Sequence, residues 1–304
     1  MYPALRTADV NPTPSPSPAI CPTPRRGRVR AVPGVAAALA MAGLLAGPVA
    51  GPVDAQGPAE PTAEELFARS QAVNPGEDQQ SRLTLLIKDA DGNSRKVVIK
   101  RFWKRYNGKD GLVSKVLLFH EYPPESRGTA FMVWTHTEAS GLLPDQWIYI
   151  PILRKVNKLP GRLEENLQGS DLRASDMDPR DARLDEHTLL RDETIGSKTY
   201  HVIESVPRDP DETYPYSKIV RWISADDDLI DKIDYYDKEG RLLKKQTIAW
   251  KQMGDAWVWQ KVVIANVQTG SQTTLNLTDI QVNQGLKDSL FTERMMEQGA
   301  AALR

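Results

Sequence analysis

Leu83, Leu85 and Ile87 alternate with Arg82, Thr84 and Lys88, a period of two that predicts a strand with one buried face. Asp91-Gly92-Asn93 then predicts a hairpin turn. In the next stretch Val97, Ile99, Arg101 and Trp103 alternate with Val98, Lys100 and Phe102, so this strand has two usable faces. Val116–Phe119 and Phe131–Trp134 are short apolar runs split by Pro123-Pro124. Periodicity alone does not separate strand from buried helix in runs this short; their length and flanking breakers favour strands. Asp145 to Ile150 is an aromatic, β-branched run stopped by Pro151.

A polar excursion follows from Leu159 to Glu186, and buried loops of that kind would strand backbone polar groups, so it reads as a rim or flap. Alternation resumes over Tyr200–Val206, Lys218–Ser224, Leu229–Tyr236, Leu242–Trp250, Val258–Val267 and Gln272–Val282. Asp209-Pro210-Asp211, Asp226-Asp227-Asp228, Lys238-Glu239-Gly240, Gly254-Asp255 and Thr269-Gly270-Ser271 supply turns at the joins. Before the strands, Thr62-Ala63-Glu64-Glu65 is a capping box, Leu66, Phe67, Ser70 and Val73 share a helical face, and Asn74-Pro75-Gly76 ends the helix. Phe291 to Gln298 predicts a closing helical turn with Thr292 as N-cap. Strands at this spacing, joined by turn residues, form an antiparallel meander and not βαβ units. The expected class is mainly β: a strongly curved antiparallel sheet, an incomplete or half β-barrel, with the helix from Glu64 across its concave side and the polar stretch as a flap.

The N-terminus changes the picture. Met1 to Pro24 is rich in proline, threonine and serine, followed by the basic cluster Arg25-Arg26-Gly27-Arg28-Val29-Arg30 and an apolar stretch from Ala31 to Val53. Val53-Asp54-Ala55 before Gln56 places small residues where a signal peptidase reads. Residues 1–55 therefore read as a signal peptide with a disordered extension, cleaved near Ala55-Gln56, and residues 56–304 as a single exported domain. The alternative is a membrane anchor, against which the core from Val35 to Ala46 is short and bracketed by Pro33, Pro48 and Pro52. A twin-arginine signal would want apolar residues just after the arginine pair, and these are missing. Cys21, the single cysteine, lies upstream of the apolar stretch, where it serves neither lipid attachment nor a disulfide.

The 304 residues are 40% hydrophobic and 26% charged, enough for a real core, and the net charge of -1 offers nothing to a nucleic acid. One set of residues carries a family likeness. Trp147, Tyr149 and Pro151, the basic pair Arg154 and Lys155, then Gly169-Ser170-Asp171 and Asp176 resemble the signature of the outer-membrane lipoprotein-sorting, LolA-like proteins. The likeness runs from about Glu64 to about Met296. The neighbours Leu167, Gln168, Leu172 and Arg173 depart from it, because aromatic residues often flank the Gly-Ser-Asp. The resemblance implies a hydrophobic cavity closed by helix and flap, in which acyl chains of lipoproteins or lipids cross the periplasm toward the outer membrane. It implies further an inner-membrane transporter as donor, an outer-membrane acceptor, and a soluble monomeric carrier.

Seven tryptophans fall almost entirely in predicted strands, and each reads either as core or as cavity wall. The cavity is expected to be lined by Leu85, Ile99, Val116, Leu118, Trp103 and Trp134, because strands with two apolar faces have one more than a single core needs. Arg101 either meets a polar head group at the rim or faces outward. His120, His136, His187 and His201 lack metal-ligand spacing, so no metal is expected. The carboxylates Asp171, Asp176, Asp178, Asp181, Asp185 and Glu186 interleave with Arg173, Arg180 and Arg183, the pattern of a self-neutralising surface. Nucleophile elbow, phosphate loop and dinucleotide fingerprint are all missing, so neither a cofactor nor an enzyme is expected. The alternative function is a periplasmic sensor or envelope-assembly factor binding a protein or peptide in the same open barrel; a secreted hydrolase ranks third.

Overall fold

The computed structural model describes residues 60–160, 166–177, 180–209 and 214–303. The signal-peptide reading, Cys21, and Pro210 and Asp211 of one predicted turn lie outside the described residues. Helix α1 (Ala63–Ala72) is followed by β1 (Asp78–Lys88), β2 (Ser94–Arg105), β3 (Leu112–Tyr122), β4 (Ala130–His136), β5 (Asp145–Ile150) and β6 (Lys155–Leu159). After the polar crossover come β7 (Asp185–Ile195), β8 (Lys198–Pro207), β9 (Lys218–Ser224), β10 (Ile230–Tyr236), β11 (Leu242–Met253), β12 (Ala256–Asn266) and β13 (Gln272–Val282), and then α2 (Glu293–Gln298).

All 13 strands form one antiparallel sheet in the order β6-β5-β4-β3-β2-β1-β13-β12-β11-β10-β9-β8-β7. Two meanders therefore meet at the β1–β13 pair, where Leu83 faces Leu277 and Leu85 faces Leu275. The sheet does not close: β6 and β7 are its two edges. The chain must travel from one edge to the other between β6 and β7, so the polar excursion is a crossover spanning the sheet. Alternation does not reveal β6 or β7, and both are absent from the sequence-based expectation. Edge strands pair on one side only and carry charge against unwanted pairing, which erases their apolar period; β7 reads Asp-Glu-His-Thr-Leu-Leu-Arg-Asp-Glu-Thr-Ile.

The two faces carry separate cores. On the inner face Leu83, Leu85, Ile87, Val97, Ile99 and Leu118 join Ile219, Ile233, Ile248, Val262, Ile264, Leu275 and Leu277 in one cluster. At opposite phase Phe102, Leu117, Phe119, Ala130, Met132 and Trp147 pack with Leu290, Phe291 and Met296 of the C-terminal segment. The second apolar face of β2, β3 and β4 is thus occupied by the chain's own end, and it does not by itself indicate a hollow. Asp78 at the start of β1 fastens that end: its carboxylate accepts the amides of Gln284 (2.8 Å), Gly285 (2.8 Å) and Leu286 (3.0 Å).

Both predicted caps form. The Thr62 hydroxyl accepts the Glu65 amide at 3.2 Å and the Glu65 carboxylate accepts the Thr62 amide at 2.9 Å, so two donors at the start of α1 are satisfied reciprocally. Thr292 caps α2 through the Met295 amide. Helix α1 buries Leu66 and Phe67 against Ile203 and Ile223, with the Phe67 ring against His187, and so lies over β7, β8 and β9 on the inner face, away from the early strands.

Candidate functional site

The crossover settles on the inner face with Leu172 fully buried in the cluster and Leu167 and Met177 half-buried against it. Tyr214 and Tyr216 pack beside it, Tyr216 against Tyr235 at 4.8 Å between ring centroids. Short polar residues hold this roof down. The Asp171 carboxylate accepts Thr273 Oγ1 at 2.9 Å and Ser271 Oγ at 2.6 Å, while its amide donates to Thr273 Oγ1 at 3.0 Å. Asp176 accepts the Tyr216 hydroxyl at 2.5 Å, the Arg173 amide at 2.8 Å and the Lys244 ammonium at 2.5 Å. Lys244 also donates to the Asp171 carbonyl at 2.9 Å. Gly169 sits at φ +63°, and a Cβ there would lie 2.8 Å from Arg95 Nη2, which donates to the Gln168 carbonyl. The left-handed backbone is what favours glycine, since the Arg95 guanidinium ends a flexible side chain that can move aside.

Burial sets the electrostatics of this lock. It pushes the Lys244 ammonium below the usual lysine range, and neighbouring Asp176 opposes that shift without cancelling it. Burial raises the Tyr216 hydroxyl, and the charge of Asp176 raises it further; burial also lifts Tyr214 to about 12. Both tyrosines therefore remain neutral at any physiological pH, and Tyr216 is the one that donates to Asp176. A second buried polar group lies beneath α1. Arg221 donates to Ser205 Oγ at 2.8 Å and stacks 4.7 Å from the Phe67 ring, and Ser205 also meets His187 Nδ1 at 2.8 Å. Among the described residues no group of three or more His, Cys, Asp or Glu is placed to hold a metal ion, and no helix is long and apolar enough to cross a membrane.

Six of the seven residues expected to line the cavity share the inner face. Leu83 pairs with Ile99, Leu85 with Val97, Arg101 with Leu118 and Trp103 with Val116, which puts Leu85, Ile99, Arg101, Trp103, Val116 and Leu118 in phase. Leu85, Ile99 and Leu118 are buried; Val116, Arg101 and Trp103 are half-buried. Arg101 donates to Gln79 Oε1 at 2.8 Å and lies over the Trp103 ring. Trp134 is on the other face, 5.1 Å from Trp147, with Lys115 Nζ 3.7 Å from its ring centroid.

The signature residues separate into three places. Trp147 and Tyr149 belong to the outer core, Pro151, Arg154 and Lys155 form an exposed hairpin end, and Gly169, Ser170, Asp171 and Asp176 lock the roof. The partners of the lock, Lys244, Tyr216 and Thr273, escape the sequence reading. A signal existed for Lys244: it and Gln246 stand in phase with Ile248 on β11, so polar residues occupy core-facing positions there.

A family model described only as an uncharacterized protein matches residues 113–298. No curated protein matches the chain. Among solved structures, a DUF1329 family protein from Desulfovibrio piger is similar at 24% identity and TM-score 0.69, covering 77% of this chain and 97% of that one. A Vibrio parahaemolyticus domain described as belonging to an outer membrane lipoprotein-sorting protein is similar at 26% identity and TM-score 0.68, covering 77% of this chain and 98% of that one. A LolA superfamily protein from Nitrosomonas europaea shares the fold at 19% identity and TM-score 0.57, covering 77% and 99%. The chain belongs to the family of the model over residues 113–298 and carries the fold of the LolA-like, outer-membrane lipoprotein-sorting proteins.

Proposed function

We propose that the chain, exported and cleaved near Ala55-Gln56, is a soluble periplasmic carrier whose inner face takes the acyl chains of a lipoprotein or lipid. The observation that carries this reading is the nature of the roof. A broad, mainly apolar face, contributed by β1, β2, β3 and β9 to β13, is covered by Leu172 with Leu167, Met177, Tyr214 and Tyr216. That cover is held by side-chain hydrogen bonds and one ion pair, not by strand pairing. Water can replace such bonds when the crossover lifts, whereas exposed apolar surface needs an apolar replacement, and each buried methylene contributes about 0.8 kcal/mol. An acyl chain seated along Leu85, Ile99, Val116 and Leu118 meets that need, with Trp103 and Arg101 at the rim beside a polar head group. An inner-membrane transporter would load the monomeric carrier and an outer-membrane acceptor would unload it.

The test is native mass spectrometry of protein released from its own periplasm, paired with binding of a fluorescent fatty-acyl probe. A lipid-mass adduct is expected, and Val116→Gln and Phe131→Gln, half-buried on the inner face, should weaken the probe while leaving the fold intact. A clean protein mass together with no probe binding would overturn the carrier reading.

A further inference from the structure

The signature's basic pair has no part in the roof. It ends the β5–β6 hairpin, where Pro151-Ile152-Leu153 makes a tight turn closed by the Arg154 amide on the Ile150 carbonyl at 3.1 Å. Arg154 holds φ +48° there, and the turn stands Ile152 and Leu153 out, 89% and 60% exposed. The β3–β4 connection lies alongside, since Ala130 pairs with Tyr149 and a Cβ on Gly128 would lie 3.3 Å from Pro151 Cγ. It adds Tyr122, 42% exposed, and the exposed Pro124 and Arg127. The two connections thus put Ile152, Leu153 and Tyr122 with Arg127, Arg154 and Lys155 at one end of these strands, against the acids Glu125 and Glu121, the latter already paired with Arg82. Among the described residues no carboxylate lies in ion-pair range of those three cations; Arg127 Nε donates instead to the Glu121 carbonyl at 3.2 Å.

We propose that this hairpin end docks the protein on an anionic phospholipid bilayer. Exposed aliphatic side chains cost free energy in water and gain it at the acyl boundary, an aromatic ring suits the head-group level, and basic side chains are drawn to anionic lipid. Charge singles out this end. Leu142 and Leu143, exposed at the opposite end of β5, lie beside Glu138 and beside Asp145, whose charge Lys158 already meets. Leu189 and Leu190, exposed on β7, are followed by an Arg191 paired with Glu193, so neither pair sits among unpaired cations. The turn is short and hydrogen-bonded, so presenting Ile152 and Leu153 takes little ordering on contact. The inference stands apart from the cargo: a docked protein need not carry lipid, and a carrier need not dock by this end.

The experiment is flotation of the purified protein with vesicles of phosphatidylglycerol and phosphatidylethanolamine, set beside vesicles of phosphatidylcholine alone. Binding to the anionic vesicles is expected, falling as salt is raised. Arg154→Gln should weaken it about fivefold, and Arg154→Gln with Lys155→Gln roughly 25-fold. Ile152→Ser with Leu153→Ser should weaken it about tenfold or more at unchanged melting temperature, because both side chains are exposed. Equal flotation of parent and variants would overturn the proposal, as would equal binding to both kinds of vesicle. So would a protein partner held through residue 152 by a protein that ignores anionic vesicles.

Discussion

Lys244 on β11 and Asp176 in the crossover meet at 2.5 Å with side chains 3% and 0% exposed. They lie 68 positions apart in the chain, and their contact seats the roof on the inner face. Tyr216 and the Arg173 amide also donate to Asp176, so both of its carboxylate oxygens are bonded and the pair is buried in a hydrogen-bonded network. Such a network holds one geometry well and tolerates the loss of a member poorly.

Asp176→Ala and Lys244→Ala should each destabilise the fold by about 3–5 kcal/mol, because either leaves a buried charge unpaired. The double variant should cost clearly less than the sum. Denaturant titration of the four proteins measures the coupling, and strictly additive losses would show that the two charges do not depend on each other.

Asp78→Ala removes three acceptor bonds to the amides of Gln284, Gly285 and Leu286. Hydrogen bonds to a charged group contribute about 1.5–3 kcal/mol each, so the C-terminal segment should detach before the sheet melts. Faster amide exchange across α2, with dye binding to the bared Phe102, Met132 and Trp147, is the expected readout. Exchange at the parent rate would place the segment's anchor elsewhere.

Gly92 turns the β1–β2 hairpin at φ +88°, and a Cβ there meets nothing nearer than Lys88 Cε at 3.8 Å. Space is available but the backbone conformation suits only glycine, so Gly92→Val should cost roughly 1 kcal/mol or more and Gly92→Asn less. Melting temperatures in that order, parent then asparagine then valine, are expected; an unchanged valine variant would mean the turn relaxes at no cost.

Hydrogen bonds from Lys104 and Tyr106 hold the Asp288 carboxyl below the usual carboxylate range. The unfolded chain restores an ordinary value of about 3.9, so between that and the folded value the unfolded state binds more protons. The stabilisation is complete above pH about 4 and is lost as the pH falls through the folded value. Asp288→Asn should therefore be less stable than the parent near neutrality and converge on it in acid. Parallel stability curves for the two proteins would rule the bond out as a source of acid sensitivity.

What the sequence determined by itself is whatever depends on near neighbours. Alternation at Leu83, Leu85 and Ile87 marks a buried face because successive side chains of a strand point to opposite sides. The capping box at Thr62 and the turn at Gly92 form between residues no more than four apart, so their chemistry is visible in a few letters. The signature from Trp147 to Asp176 marked the family and the crossover, although not that its parts serve two cores and a surface. Tertiary structure alone decided that β1 joins β13, that the charged strands β6 and β7 are the edges, and that Lys244 receives Asp176. It also decided that the second apolar face of β2 to β4 belongs to Leu290, Phe291 and Met296, leaving Trp134 on the far side from Leu85 and Ile99. An apolar period says that a face is buried, not what buries it. The covering partner is chosen by burial summed over distant segments, and no local stretch of sequence carries that sum.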